Sequence, residues 1–148
     1  MFDPVTLLTF LKISAMSLTQ RYGQLALIAG ASEGLGAAFA RFLASEGMDL
    51  VLVARRKEPM EQLAEALTES FGIKVYCICC DLSDAHATQS VQTGLQGKEV
   101  DLLVYNAALS YIGPFEKNSL EHHHRIAGTN MITPLHMMQV FGSLMLER

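Results

Sequence analysis

Seven residues, Gly30-Ala31-Ser32-Glu33-Gly34-Leu35-Gly36, follow an apolar run from Leu25 to Ala29 and precede a helical pattern. Glycines so spaced let a backbone turn tightly and approach a pyrophosphate without a Cβ clash. The helix they open offers free N–H groups and the positive end of its dipole to the phosphates. A bare glycine pattern is a weak signal, and the strand-turn-helix context is what gives this one weight. A second apolar run ends Val53-Ala54-Arg55-Arg56, about 20–25 residues after the turn, where the adenosine ribose of a dinucleotide is read. An acid there would accept hydrogen bonds from both ribose hydroxyls. Ala54 cannot, whereas Arg55 or Arg56 can pair with a 2′-phosphate through a planar fork of donors, and Ser32 can add a hydroxyl. The expected cofactor is therefore NADP rather than NAD, with Arg55 as its reader.

Other chemistry is less well placed. Cys77 and Cys79 alternate to one side of a strand and Cys80 to the other, so they do not converge as metal ligands. His122, His123 and His124 fan out around a helix, and His86 and His136 have no evident partner. No metal site is expected. The chain carries 11 Lys+Arg and 15 Asp+Glu, a net charge of −4, with no basic run and no Trp, which argues against nucleic acid as a partner. Three clustered cysteines make no disulfide framework and fit a reducing, cytoplasmic compartment.

The elements that position these residues alternate. Apolar runs at Leu25–Ala29, Leu50–Ala54, Val75–Cys80 and Val100–Tyr105 read as strands buried on both faces. Between them lie helical patterns. In the first, Leu35, Phe39, Phe42 and Leu43 recur at helical spacing and Gly47 ends the helix. In the second, Met60, Leu63 and Leu67 face inward, Glu58, Glu61, Glu65 and Glu69 face water, and Gly72 punctuates. A weaker third is capped by Ser83 or Asp84, and a long one, with a kink near Pro134, runs from Ser119 to Arg148. The half-apolar composition (50%) supports a real core. The fold class is α/β, a doubly wound parallel sheet. Residues 1–20 read as an N-terminal extension and 21–148 as one dinucleotide-binding domain. In the extension, Asp3-Pro4 can cap a helix with a sticky face of Val5, Leu8, Leu11 and Ile13. A docking helix or tail is the preferred reading, beside a membrane-surface anchor through residues 1–15 or a start at Met16.

The spacing GxxxGxG resembles the short-chain dehydrogenase/reductase family, which usually reads TGxxxGIG; Ala29 stands in place of the threonine. Cys80-Asp81-Leu82 matches that family's acidic residue after the third strand, and the resemblance implies that Asp81, with Leu82 beside it, meets the adenine. Tyr105-Asn106-Ala107-Ala108 matches its NNAG motif at Asn106 and Ala107 and departs at Tyr105 and Ala108. Asn130 sits where the family has a catalytic-relay asparagine, whose backbone carbonyl holds a water. The implied cofactor-binding set is Gly30, Ser32, Glu33, Gly34, Leu35, Gly36, Arg55, Arg56, Asp81, Leu82, Asn106, Ala107 and Ala108.

The family's catalytic serine and its YxxxK tyrosine and lysine are not found. Tyr22, Tyr76, Tyr105 and Tyr111 are followed four residues on by Ala26, Cys80, Leu109 and Phe115. The pattern stops after the fifth helix, before the strand that would bear the serine, as the N-terminal half of a Rossmann-like fold. The resemblance implies an NADP-dependent oxidoreductase that interconverts small-molecule carbonyls and alcohols in its complete form, and the unpaired sheet edge with the long Met-rich helix (Met131, Met137, Met138, Met145) leads us to expect a homo-oligomer. Arg21-Tyr22-Gly23 loosely resembles the branch acting on hydroxysteroids and long-chain ketoacyl groups. The rival is a non-catalytic NADP-binding or oligomerising module.

Overall fold

The computed structural model describes residues 16–148, so the expected N-terminal helix lies outside the described residues. The chain runs α1 (Leu18–Tyr22), β1 (Leu25–Ala29), α2 (Gly34–Ser45), β2 (Asp49–Ala54), α3 (Lys57–Phe71), β3 (Val75–Cys79), α4 (Ala87–Leu95) and β4 (Leu102–Tyr105). After a 3-10 turn at Phe115–Lys117 come α5 (Leu120–Ala127), a π-helical segment (Gly128–Ile132) and α6 (Thr133–Leu146). All pairings are parallel, in the order β3-β2-β1-β4. The chain therefore reverses its direction of sheet growth between β1 and β4, and that crevice, beyond the strands' carboxyl ends, is where doubly wound sheets take ligands.

Period-two alternation sends each central strand into two cores. Ala26, Ile28, Leu50 and Leu52 join Leu43, Met60, Leu63 and Leu67 of α2 and α3 on one face. Leu25, Leu27, Val51 and Val53 join Val91 and Leu95 of α4 and Met137 and Phe141 of α6 on the other. Both faces of β1 and β2 are covered, which explains why they read as continuous apolar runs. By contrast β3 and β4, at the two edges, are largely half-buried, with Cys77 and Cys79 exposed, contrary to the expectation of strands buried on both faces.

Local detail departs from the sequence pattern in three places: the α2 face, the α4 cap and the long helix. The inward face of α2 is Gly36, Ala40, Leu43 and Ala44, while Leu35 (72%), Phe39 (44%) and Phe42 (53%) are exposed. The helix starts directly against the sheet at Gly36, and only small side chains fit so close an approach. Neither Ser83 nor Asp84 caps α4. Its N-cap is His86, without a side-chain bond, because Asp84 already accepts the His86 N–H (2.7 Å) in a preceding turn and Ser83 is turned onto Asp81. Ser119 does cap α5, accepting the His122 N–H at 3.1 Å. The long helix is three segments ending at Leu146, and its irregular stretch precedes Pro134, which sits in the first turn of α6. No N–H is needed of a proline there.

The α2 face can be tested directly. Phe42→Gln should change the unfolding free energy by less than about 1 kcal/mol, whereas Leu43→Ala should cost roughly 2–5 kcal/mol, as read by urea denaturation.

Candidate functional site

A cavity of about 250 Å³ opens at the carboxyl ends of the strands. Its walls include Gly30, Ser32 and Glu33 from the β1–α2 turn and Ala54, Arg55 and Arg56 from the end of β2. Cys80, Asp81 and Leu82 follow β3, and Asn106, Ala107, Ala108 and Leu109 follow β4, with Thr129 from the π segment. Ten of the residues singled out for cofactor binding thus surround one space.

The turn is built by close backbone approach. At Gly30 (φ +83°) an added Cβ would lie 2.6 Å from the Ala107 backbone, and at Gly36 it would overlap the Gly30 carbonyl. The Asn106 amide donates to that same carbonyl at 3.3 Å, joining β4 to the turn. Gly34 differs: its Cβ would meet nothing within 4 Å, and a side chain there would project into open space beside the helix start. Glu33, at the N-cap of α2, makes no capping bond, so the first N–H groups of α2 are left for a ligand. Leu35 lies on the exposed face of α2 rather than in the cavity wall.

Four charged groups ring the mouth. Arg56 is paired with Glu33 at 2.7 Å and reaches the Ser32 hydroxyl at 3.5 Å. Among the described residues Arg55 is in no ion pair. Asp81 accepts from the Ser83 N–H (3.0 Å) and hydroxyl (2.8 Å) through Oδ1 and from Arg125 (3.1 Å) through Oδ2. Burial pushes the Asp81 carboxyl up, but the two Ser83 bonds and the charges of Arg125 and Arg55 outweigh it, so its pKa lies below the ordinary aspartate value.

Asn130 stands in the π segment, outside the cavity wall. Its side-chain amide accepts the Leu109 N–H (2.9 Å) and donates to the Leu109 carbonyl (2.8 Å). Pro134, four residues on, has no N–H to offer the Asn130 carbonyl. Tyr105, where the motif's first asparagine would be, donates its hydroxyl to the Thr129 carbonyl at 2.6 Å; burial first, and the neighbouring Cys80 second, push its pKa up to about 12. Arg125 and Thr129 were not singled out from the sequence, and their only signal there is closeness to Asn130.

The cysteines do not converge: the Cys79 thiol donates to the Arg55 carbonyl and the Cys80 thiol to that of Ala87. His123 stacks on Phe115 and His122 lies edge-on to Tyr111. Among the described residues no group of three His, Cys, Asp or Glu could hold a metal, and no helix is long and apolar enough to cross a membrane.

The model of the short chain dehydrogenase family matches residues 24–148, and this chain belongs to that family. It is 32% identical over 132 residues to the 7beta-hydroxysteroid dehydrogenase of Collinsella aerofaciens, covering 86% of this chain and 50% of that protein. It is 33% identical over 92 residues to the very-long-chain 3-oxoacyl-CoA reductase of Homo sapiens, covering 62% and 30%. Among solved structures, a 7beta-hydroxysteroid dehydrogenase superposes with TM-score 0.85 at 30% identity, covering 89% of this chain and 51% of that one. A short-chain dehydrogenase from Sphingobium yanoikuyae in complex with NADPH superposes with TM-score 0.77 at 28% identity, covering 84% and 49%. The chain spans about half the length, or less, of these relatives.

The Asp81 network carries a pH dependence. Because its folded-state pKa is lowered, its contribution to stability is complete above the unfolded aspartate pKa of about 4 and is lost as the pH falls through the lowered folded value. Asp81→Asn should therefore flatten the acid limb of a stability–pH curve below about pH 4 without changing its slope near neutrality. Urea unfolding across the acid range measures this.

Proposed function

We propose that this chain is the cofactor-binding half of an NADP-dependent oxidoreductase that interconverts a carbonyl and an alcohol. The observation that carries the reading is Arg55 and Arg56 at the end of β2, on the wall of the same cavity as the glycine turn, with no acid where a ribose diol would need one. In this reading the α2 N-terminus and the open space at Gly34 receive the pyrophosphate. Arg55, with Arg56 and the Ser32 hydroxyl, takes the 2′-phosphate, Asp81 and Leu82 take the adenine, and Asn106, Ala107 and Ala108 lie toward the nicotinamide ribose. NADPH, when bound, supplies a hydride. The Asn130 side chain holds the Leu109 backbone, and in this reading its carbonyl, which Pro134 cannot engage, would hold a water of the proton relay.

No tyrosine in these 148 residues is followed four positions on by a lysine, the spacing that would supply a proton to the developing alkoxide. Tyr76, whose ring lies 4.5 Å from the Lys98 ammonium, is not among the residues that line the cavity. The substrate class supported by the relatives' names is a hydroxysteroid or long-chain 3-oxoacyl group. All the relatives named above are dehydrogenases or reductases, which supports the oxidoreductase reading over the non-catalytic module. Self-association is supported by the exposed Met131, Leu135, Met138 and Leu144 of the π segment and α6, beside β4 at the edge of the sheet.

Titration calorimetry tests the cofactor. NADPH should bind more tightly than NADH, and Arg55→Ala should remove most of a roughly 10- to 100-fold difference, the worth of one charge-assisted pair. Equal affinities in the unmodified chain would refute the reading. A polypeptide limited to residues 1–148 should show no NADPH-dependent turnover of ketones or aldehydes above background, followed by loss of NADPH absorbance. Robust turnover would mean a proton donor exists elsewhere in the chain.

A further inference from the structure

We infer that Arg125, in the last turn of α5, is a positioning residue for the adenine end of the cofactor cavity. The inference deepens the proposed function, since it rests on Asp81 meeting the adenine. Arg125 reaches from its helix with two separate donors. One guanidinium nitrogen meets Asp81 Oδ2 at 3.1 Å, and Nε meets the Ser83 hydroxyl at 3.2 Å. Ser83 in turn gives its N–H and hydroxyl to Asp81 Oδ1. The two carboxylate oxygens are thus held from opposite directions, one by the loop's own serine and one by a helix 44 residues further along the chain.

What this arrangement does is orient. Arg125 and Asp81 are 38% and 43% exposed, and an ion pair so wet contributes little to stability. A planar carboxylate on a loop is free to rotate, and a single bond fixes one oxygen only. Arginine's rigid fork, engaging aspartate and serine together, fixes the plane. The loop is also moored where the Thr133 hydroxyl donates to the Leu82 carbonyl at 2.8 Å. Arg125 adds the side-chain half of that mooring, leaving one acceptor site of Asp81, on Oδ2, for a ligand in the cavity that Asp81 lines. The recognised group is an exocyclic amine on a purine, which donates to a carboxylate; a purine bearing an oxygen at that position meets it acceptor to acceptor.

The test compares NADPH with deamino-NADPH, in which that amine is an oxygen, by calorimetry on the full chain. The unmodified protein should prefer NADPH by about tenfold, the scale of one hydrogen bond to a charged group. Arg125→Met should bring the preference close to one while leaving deamino-NADPH affinity within about twofold of the unmodified protein. Arg125→Lys, which keeps the charge without the fork, should give an intermediate preference and serves where the methionine variant does not fold. Asp81→Ala should abolish the preference outright. If Asp81→Ala abolishes it and both Arg125 variants keep it, the positioning role is overturned and the Asp81 reading stands. If Asp81→Ala leaves the preference intact, or the unmodified protein has none, both fall. An Arg125 variant that loses affinity for the two nucleotides equally would mark the residue as merely structural and overturn the inference.

Discussion

The cavity depends on one constraint, the contact of backbones where β1 ends. The Gly30 turn lies against the Ala107 backbone on one side and over Gly36 on the other, so an added Cβ at either glycine would have to displace main chain. Main chain in a paired sheet has little room to give, because its hydrogen bonds fix its position. Gly30 itself donates to the Val53 carbonyl at 2.8 Å, and Asn106 donates its N–H to Ala29 and its amide to Gly30. The ends of β1, β2 and β4 are thereby locked together at the switch point, and the side chains that follow each strand have one common space to enter.

That constraint also selects the face of α2. A helix whose third residue is pressed under the preceding turn cannot hold bulky side chains between itself and the sheet in its first turns. Gly36 and Ala40 lie inward and Leu43 fills the space only where the helix has diverged, whereas Leu35, Phe39 and Phe42 turn outward. Two apolar stripes coexist on this helix, and periodicity alone cannot rank them. Side-chain size favours Leu35, Phe39 and Phe42, close approach favours Gly36 and Ala40, and close approach decides. On α3 the opposite stripe is a row of glutamates, and there the inward face of Met60, Leu63 and Leu67 was legible.

The strands, the helices between them and the glycine turn could be read from the chain because each depends on neighbours in sequence, and the places of Asp81 and Asn106 follow from the resemblance of their motifs to those of short-chain dehydrogenases. What could not be read depends on bonds between segments far apart. Tyr105 to Thr129, Asn130 to Leu109, Thr133 to Leu82 and Arg125 to Asp81 are four such ties, each spanning more than twenty residues. Together they hold the polar edge of α5, the π segment and the start of α6 to the strand ends, while Met137 and Phe141 hold α6 from beneath. No periodicity encodes a tie of this kind. The wider π turn falls where those ties crowd, between the Arg125 and Thr133 bonds, and just before Pro134, which has no N–H for the Asn130 carbonyl of the same segment.

Charge at the cavity mouth separates two arginines that are adjacent in sequence. Arg56 already has a carboxylate at 2.7 Å, and an incoming phosphate must share or displace Glu33 to reach it. Arg55 has no such partner among the described residues, and its charge acts on Asp81 across the mouth without a direct ion pair. Both side chains are exposed, so neither arrangement weighs much on stability. The difference lies in availability: a phosphate dianion gains the full attraction of an unpaired guanidinium and only the surplus over Glu33 from a paired one. Arg56 and Glu33 together present the Ser32 hydroxyl with a nearly neutral pair, and Arg55 is left as the net positive charge of that wall.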